Sequence, residues 1–108
     1  MGIVAMRIAN LAEAARALDQ SRTTGAAVLL VTAAEVTAFA GVGYWRALER
    51  ELGHALVVDC GDDAGLVMAA LRAGCRDLLF TGPAEVAGRL AGIAAQLEAN
   101  LRQHLDDP

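Results

Sequence analysis

Short apolar runs alternate along the chain with segments whose apolar residues recur at helical spacing. The runs predict four strands, and the first is interrupted by an arginine. These strands are Ile3–Ile8, Ala26–Val31, Ala55–Asp59 and Asp77–Thr81. Continuous apolar runs of this kind are typical of parallel strands that are covered on both faces. The pattern therefore predicts an α/β fold of four βα units, with helices packed on one four-stranded parallel sheet.

Capping signals mark the ends of the predicted helices. Asn10 precedes the first helix, Asp62 is expected to cap the helix after the third strand, and Pro83 suits the first turn of the last helix. Gly53 and Gly74 are typical stop signals. The predicted apolar stripe of the last helix consists of Val86, Leu90, Ile93, Leu97 and Leu101.

Length and composition limit the classes of protein that fit. The 108 residues predict a single domain. A net charge of −4 argues against a nucleic-acid partner, because nonspecific affinity for nucleic acid comes from clustered Lys and Arg. No apolar run is long enough for a membrane span, and neither an export signal nor a cysteine framework is evident, so we expect a cytoplasmic protein that does not bind membranes.

The missing residue types exclude several enzyme classes. All nine cationic residues are arginines, which removes Schiff-base chemistry and the lysine of a phosphate loop. The only serine, Ser21, has no nucleophile-elbow context. The two histidines, His54 and His104, are too few for a three-histidine metal site. The remaining chemistry is carried by carboxylates and thiols.

The strongest candidate site follows the third strand, at Asp59-Cys60-Gly61-Asp62-Asp63. Ligands of parallel α/β folds bind at the carboxyl ends of the strands. The three carboxylates and the thiol therefore predict either a divalent cation site or a purely structural turn. In a cation site, Cys60 favours a softer metal such as zinc, whereas the carboxylates favour magnesium. In the structural interpretation Asp59 bonds to backbone amides, Cys60 is a small buried thiol, and the remaining acids cap the next helix.

A second candidate lies after the fourth strand. Thr81 and Gly82 precede a helix whose first backbone amides are free to bind an anion. The alternative is that Gly82-Pro83 forms only a tight helix start. Gly41-Val42-Gly43 begins like a dinucleotide-binding fingerprint, but Arg46 occupies the last glycine position, so we reject that match.

The order of these motifs from about residue 12 to residue 95 resembles the first half of class II, metal-dependent fructose-bisphosphate aldolases, which are TIM barrels. The resemblance is carried by four segments. They are Val28-Leu29-Leu30-Val31, Phe39-Ala40-Gly41, the Leu56–Val58 strand ending in Asp59-Cys60-Gly61, and Ala73-Gly74 leading into Leu78-Leu79-Phe80-Thr81-Gly82. It implies a half-barrel-like arrangement, whereas the strand pattern alone leaves an open, flavodoxin-like sheet as an alternative.

The resemblance also implies roles for individual residues. Asp59 would handle a substrate proton, and Cys60 would take the position at which the family has a metal-binding histidine. The family's other metal histidines and its glycine-rich phosphate loops lie in a second half that is not part of this sequence. Thr81-Gly82-Pro83 also replaces the family's Asp-Gly-Ser turn. Aldolase activity of a lone chain is therefore not expected.

Two functional hypotheses follow. The leading one is a noncatalytic domain that binds a small molecule or a partner through the edge around Asp59, with Gly61, Asp62, Thr81 and Gly82 as ligand-binding residues and no required cofactor. The alternative is a metal-dependent, lyase-like enzyme with Asp59 as catalytic residue and Cys60 as zinc ligand, completed by oligomerisation. Both include a homo-oligomer, most simply a dimer, because a four-stranded parallel sheet leaves two unpaired edges.

Overall fold

The computed structural model describes residues 3–105, within which strands and helices alternate. The strands are β1 (Val4–Ile8), β2 (Val28–Thr32), β3 (Val58–Asp59), β4 (Asp77–Leu79) and β5 (Asn100–Arg102). The helices are α1 (Leu11–Thr24), α2 (Ala34–Ala40), α3 (Val42–Leu52), α4 (Ala64–Ala73) and α5 (Ala84–Gln96). None of the helices in this range is sufficiently long and apolar to cross a membrane.

Side-chain caps define the starts of two helices. The Asn10 carboxamide accepts a hydrogen bond from the Glu13 amide at 2.9 Å, as the sequence predicts for α1. Helix α4 is capped by Asp63, whose carboxylate accepts from the Leu66 amide at 3.0 Å, so the prediction of Asp62 as the cap is wrong by one residue. The reason is a turn closed by the bond from the Asp63 amide to the Cys60 carbonyl, which places Asp62 before the helix.

The segment between β2 and β3 forms two helices rather than one. Gly41 separates α2 from α3 and has a φ of 86°, a conformation that glycine adopts without the steric cost of a Cβ. The Trp45 ring nitrogen donates to the Thr37 carbonyl at 2.9 Å, and the Trp45 side chain is fully buried. This hydrogen bond connects α2 to α3. Trp45 is therefore a core residue rather than a pocket residue.

All strand pairs are parallel, and they form two small sheets. One sheet contains β1 and β2, and the other contains β3, β4 and β5 in that order. An isolated bridge between Val31 and Val57 connects the two sheets, with hydrogen bonds from the Thr32 amide to the Val57 carbonyl and from the Val57 amide to the Leu30 carbonyl. The predicted α/β fold with parallel strands is confirmed, but a single four-stranded sheet is not.

The sequence pattern does not predict the fifth strand, because the helical spacing of apolar residues includes Leu101 in the last helix. Helix α5 ends at Gln96, and Leu101 lies in β5 instead of on the helical stripe. The buried face of α5 is formed by Ala87, Leu90 and Ala94, so small side chains rather than the large ones carry much of the helix packing. The chain reverses after α5, and the Asn100 amide bonds to the Arg76 carbonyl to begin β5.

The two faces of the sheets have different coverings. The main core joins one face to side chains from α1, α3, α4 and α5, and includes Leu30, Val58, Leu78 and Phe80 from or beside the strands. On the other face, Val31, Val57 and Leu79 form a separate cluster with Leu29 and Leu105. No helical residue belongs to that second cluster among the residues described, so the helices cover one face.

Candidate functional site

Asp59 lies at the carboxyl end of β3, where the sequence predicts a site, but both of its carboxylate oxygens are already engaged. One oxygen accepts a hydrogen bond from the Gly61 amide at 2.9 Å, and the other forms an ion pair with Arg7. The Asp59 amide also donates to the Thr32 hydroxyl at 2.9 Å. With its side chain 6 % exposed, Asp59 connects three segments of the backbone and offers little surface to a substrate.

Arg7 is the partner of Asp59 that the sequence analysis did not identify. Its guanidinium also donates to the Thr32 carbonyl at 3.0 Å, which ties the end of β1 to the end of β2. In the sequence Arg7 stands out only as an interruption of an apolar strand. A single charged residue in a largely apolar strand could have indicated this contact, because such a strand tolerates a charge best where an opposite charge or solvent is within reach.

Gly61 and Asp62 form the turn that follows Asp59. Gly61 has a φ of 57°, and its carbonyl accepts from the Thr81 amide at 2.8 Å, so this turn is bonded to the end of the neighbouring β4 segment. Asp62 is exposed. Gly61 and Thr81, both predicted as ligand-binding residues, are thus brought together by a backbone bond.

Cys60 points to the opposite face from Asp59, because adjacent residues of an extended strand alternate between faces. Its side chain is part of the helix-covered core, is 3 % exposed, and contacts the Val58 carbonyl at 3.6 Å through sulfur. Burial, reinforced by the nearby Asp59 carboxylate, raises the pKa of the Cys60 thiol from its ordinary value of 9.0 to about 12. The neutral thiol is therefore favoured at neutral pH.

The metal hypothesis requires several donors to converge. Within residues 3–105, His, Cys, Asp and Glu side chains do not form any cluster of three or more that could hold a metal ion. Cys75, the other thiol, is also buried, and burial raises its pKa to about 11. The zinc role of Cys60 stays a prediction, and the surroundings of Cys60 weigh against it.

Gly82 is packed against an aromatic ring. A Cβ at this position would lie 2.4 Å from Cζ of Phe80, whose side chain is buried. The absence of a side chain at Gly82 therefore allows the Phe80 ring to fit beneath the start of α5. This contact gives a structural reason for glycine at a position where the sequence suggested anion binding.

Two further cavities lie away from Asp59. One, of about 180 Å³, is mainly apolar and lies beside β1, where Val4, Met6 and Ala17 line it. The other, of about 260 Å³, is polar and lies at the amino-terminal end of the strands, where Arg46, Arg76 and other side chains meet. Neither cavity is predictable from the sequence, because each is assembled from residues that are distant in the chain.

Comparisons of the chain with protein families, with curated proteins and with solved structures give no significant match. The interpretation of the site accordingly depends on its geometry. At the carboxyl edge, that geometry is a set of hydrogen bonds that engage both carboxylate oxygens of Asp59, beside the exposed carboxylate of Asp62.

Substituting Arg7 should destabilise the fold much more than substituting a surface arginine. Arg7→Met leaves the Asp59 carboxylate poorly solvated and without its charged partner, so we expect a loss of about 1.5–3 kcal/mol in the free energy of unfolding. Arg22 pairs with Asp19 on the exposed face of α1, and Arg22→Met should cost less than about 0.5 kcal/mol. Urea unfolding measures both values. Equal effects would show that the Asp59 ion pair has no special structural role.

The buried thiol should make stability fall at high pH. Below pH 9 the thiol is protonated in the folded and the unfolded chain, so its contribution is constant. Between pH 9 and about 12 the unfolded chain releases the proton while folded Cys60 retains it, which favours unfolding by about 1.4 kcal/mol per pH unit. Urea unfolding of wild type and Cys60→Ala at pH 8, 9 and 10 should give a shallower decline for the variant. Parallel declines would contradict a buried, neutral Cys60.

Two glycine substitutions should have opposite effects. Gly82→Ala forces a methyl group against the Phe80 ring and should destabilise the protein by about 1–3 kcal/mol. Gly88 lies in α5 with open space where its Cβ would be, so Gly88→Ala should stabilise by about 0.5–1 kcal/mol through higher helix propensity. Thermal and urea unfolding measure both changes. A Gly82→Ala protein as stable as wild type would remove the packing explanation.

Proposed function

We propose that this chain is a non-enzymatic interaction domain that pairs with a second copy of itself through the free edge of β1. The observation that carries the proposal is the exposure of this edge. Ile3 and Val4 are 67 % and 52 % exposed, Ala5 is also exposed, and an apolar cavity lies alongside. Exposed apolar strand edges are costly for a protein unless another strand covers them.

The proposal treats the two small sheets as one curved unit. The Val31–Val57 bridge makes β2 and β3 neighbours, so the strands follow the order β1 to β5 across both sheets. Sequential parallel strands with helices on one face are the arrangement of a half-barrel rather than of a flavodoxin-like sheet, which has helices on both faces. Within residues 3–105, β1 and β5 are the outer strands of this order.

The backbone of β1 is suited to pairing on its free side. The Val4 amide donates to the Ala27 carbonyl, and the Ile8 carbonyl accepts from the Ala33 amide, so these residues bond toward β2. Because hydrogen bonding alternates along a strand, the amide and carbonyl groups of Ala5 and Arg7 point to the free side. A second strand could therefore bond to this edge without disturbing β1 and β2.

The other edge is less suited to pairing. Strand β5 has three residues, and Arg102 forms an ion pair with Asp77 of β4 through its Nε at 2.8 Å. Short strands and charged side chains are the usual means by which sheet edges are protected from association. The contrast between the two edges favours β1 as the contact surface.

A second copy fits β1 in a specific register. Two antiparallel β1 strands related by a two-fold axis at Ala5 would bond through the two Ala5 residues and place Arg7 opposite Ile3 of the second copy. This register avoids opposing the two Arg7 side chains, and it brings Val4 next to Met6 of the second copy. Like charges directly opposite are unfavourable and apolar pairs favourable, so the strand is complementary to itself.

The enzyme hypothesis receives less support. A metal-dependent lyase needs a carboxylate that can exchange a proton and a deprotonated ligand for the metal. Asp59 is held by Arg7 and Gly61, and the pKa of the Cys60 thiol is raised to about 12. These observations favour a structural role for Asp59 and Cys60, and the proposed contact lies at β1 rather than at the edge around Asp59.

The proposed dimer should depend on the outward amide of Ala5. Ala5→Pro removes that donor while leaving the bonds between β1 and β2, so it should shift the protein from dimer to monomer. Ala5→Val keeps the amide and should remain dimeric. Sedimentation velocity over a range of protein concentrations measures the dimer fraction, and circular dichroism establishes that each variant is folded.

Phe39 provides a control for other apolar surfaces, because its side chain on α2 is 91 % exposed. Phe39→Ala should leave the dimer fraction unchanged. A wild-type protein that is monomeric at all concentrations would overturn the proposal. So would a dimer that survives Ala5→Pro and dissociates in Phe39→Ala.

A further inference from the structure

The polar cavity at the amino-terminal end of the strands has a basic lining. It lies where α3 and α4 end, between Gly53, Gly74 and the residues that lead into β3 and β4. Arg46, Arg76 and His54 line it, and Glu49 is the one acidic residue among its lining residues. Two arginines line this one cavity although the net charge of the chain is −4. The basic lining is therefore a local feature that does not follow from the overall charge.

Glu49 neutralises this charge only in part. One of its carboxylate oxygens accepts the Leu56 amide at 2.9 Å, which connects the end of α3 to the segment before β3. The other lies 3.5 Å from an Nη of Arg46, a loose contact compared with a charge-assisted hydrogen bond of about 2.7–2.9 Å. Only 8 % of Glu49 is exposed, so this packing buries most of its surface.

Arg46 has a buried donor without a partner. Its Nε is shielded from solvent and makes no hydrogen bond with the part of the chain that the structure describes. A buried unsatisfied donor is rare in proteins, and this one marks Arg46 as held by packing rather than by a hydrogen bond of its Nε. Arg46 lies across Gly74, where a Cβ would approach Nε to 3.0 Å, so glycine permits its position against the cavity wall.

Arg76 is held in place by backbone carbonyls. Its Nη1 donates to the Cys75 carbonyl at 3.1 Å and lies 3.5 Å from the Leu71 carbonyl at the end of α4. These contacts satisfy the last turn of α4 and hold the guanidinium at the cavity. Both contacts involve Nη1, and Arg76 is exposed at the cavity wall.

We infer that this cavity binds the phosphate group of a small molecule, or free inorganic phosphate. Two guanidinium groups offer the planar, multiple donors that suit a phosphate. His54 also lines the wall, where its Nδ1 donates to the Ala55 carbonyl at 2.8 Å, so its Nε2 can donate to a phosphate only in the cationic ring. A volume of about 260 Å³ is slightly below the usual range for drug-sized ligands, so the site suits a small anion. The site lies at the opposite end of the strands from Asp59 and does not depend on the β1 contact.

Isothermal titration of the full chain with inorganic phosphate, at constant ionic strength, tests this site. Wild-type protein should bind phosphate saturably, and Arg46→Gln and Arg76→Gln should each weaken binding about tenfold, as expected for a lost charge-assisted contact. Arg50→Gln and Arg72→Gln are matched controls. They remove the same charge from exposed positions of α3 and α4 that do not line the cavity, and they should change the affinity less than about twofold.

A spectroscopic measurement separates this site from general attraction. The Nε–H resonance of Arg46 should shift on addition of inorganic phosphate, whereas chloride at equal ionic strength should leave it unchanged. Titration with glycerol 3-phosphate tells whether the ligand is a phosphate ester or free inorganic phosphate. Binding that is tighter than that of inorganic phosphate assigns the site to a phosphate ester, and weaker binding assigns it to the free ion. Absence of saturable phosphate binding, or equal losses in all four arginine variants, would overturn the proposal. Arg76 is exposed, so Arg76→Gln tests the site even if Arg46→Gln fails to fold.

Discussion

The contact between β2 and β3 holds the domain together, because it is where the two sheets meet. The backbone contributes one bridge there, between Val31 and Val57. Asp59 adds a bond from its amide to the Thr32 hydroxyl at the end of β2, and its carboxylate pairs with Arg7 on β1. A residue with this many structural bonds connects β1, β2 and β3 in one network. The position that a parallel fold normally assigns to ligand chemistry is here used to join the strands.

Features that depend on local chemistry were predictable from the sequence. The Asn10 cap, the stops at Gly53 and Gly74, and the alternation of apolar runs with helical segments all depend on residues within a few positions of one another. The opposite orientation of Asp59 and Cys60 was also accessible, because neighbours in a strand point to opposite faces. Placing both in one metal site conflicted with that alternation.

Features that depend on distant residues were not predictable. Arg7 and Asp59 are separated by 52 positions, and nothing near either residue in the sequence specifies the other. Strand β5 is three residues long and follows α5. The helical spacing of the apolar residues in α5 continues as far as Leu101, so spacing alone predicts helix there. The basic cavity combines α3, α4 and the start of β4, so Arg46 and Arg76 become a pair only once the chain is folded.

The two ends of the strands therefore have different characters. At the carboxyl end, hydrogen bonds among Asp59, Arg7, Gly61 and Thr81 engage both carboxylate oxygens of Asp59. The amino end retains a cavity with an unsatisfied guanidinium nitrogen. In parallel α/β folds ligands usually bind at the carboxyl end. The location of unsatisfied polar groups, rather than the fold, points to the other end in this protein.

The bonds around Asp59 make the two sheets one cooperative unit. Native-state hydrogen exchange measures this cooperativity directly, because the amides of Thr32 and Val57 donate the two hydrogen bonds that cross from one sheet to the other. We expect both amides to exchange only through global unfolding, with the same free energy of opening as amides in the core of β2 and β4. Opening of Thr32 and Val57 at a markedly lower free energy, while those core amides stay protected, would show that the sheets separate independently and are not one unit.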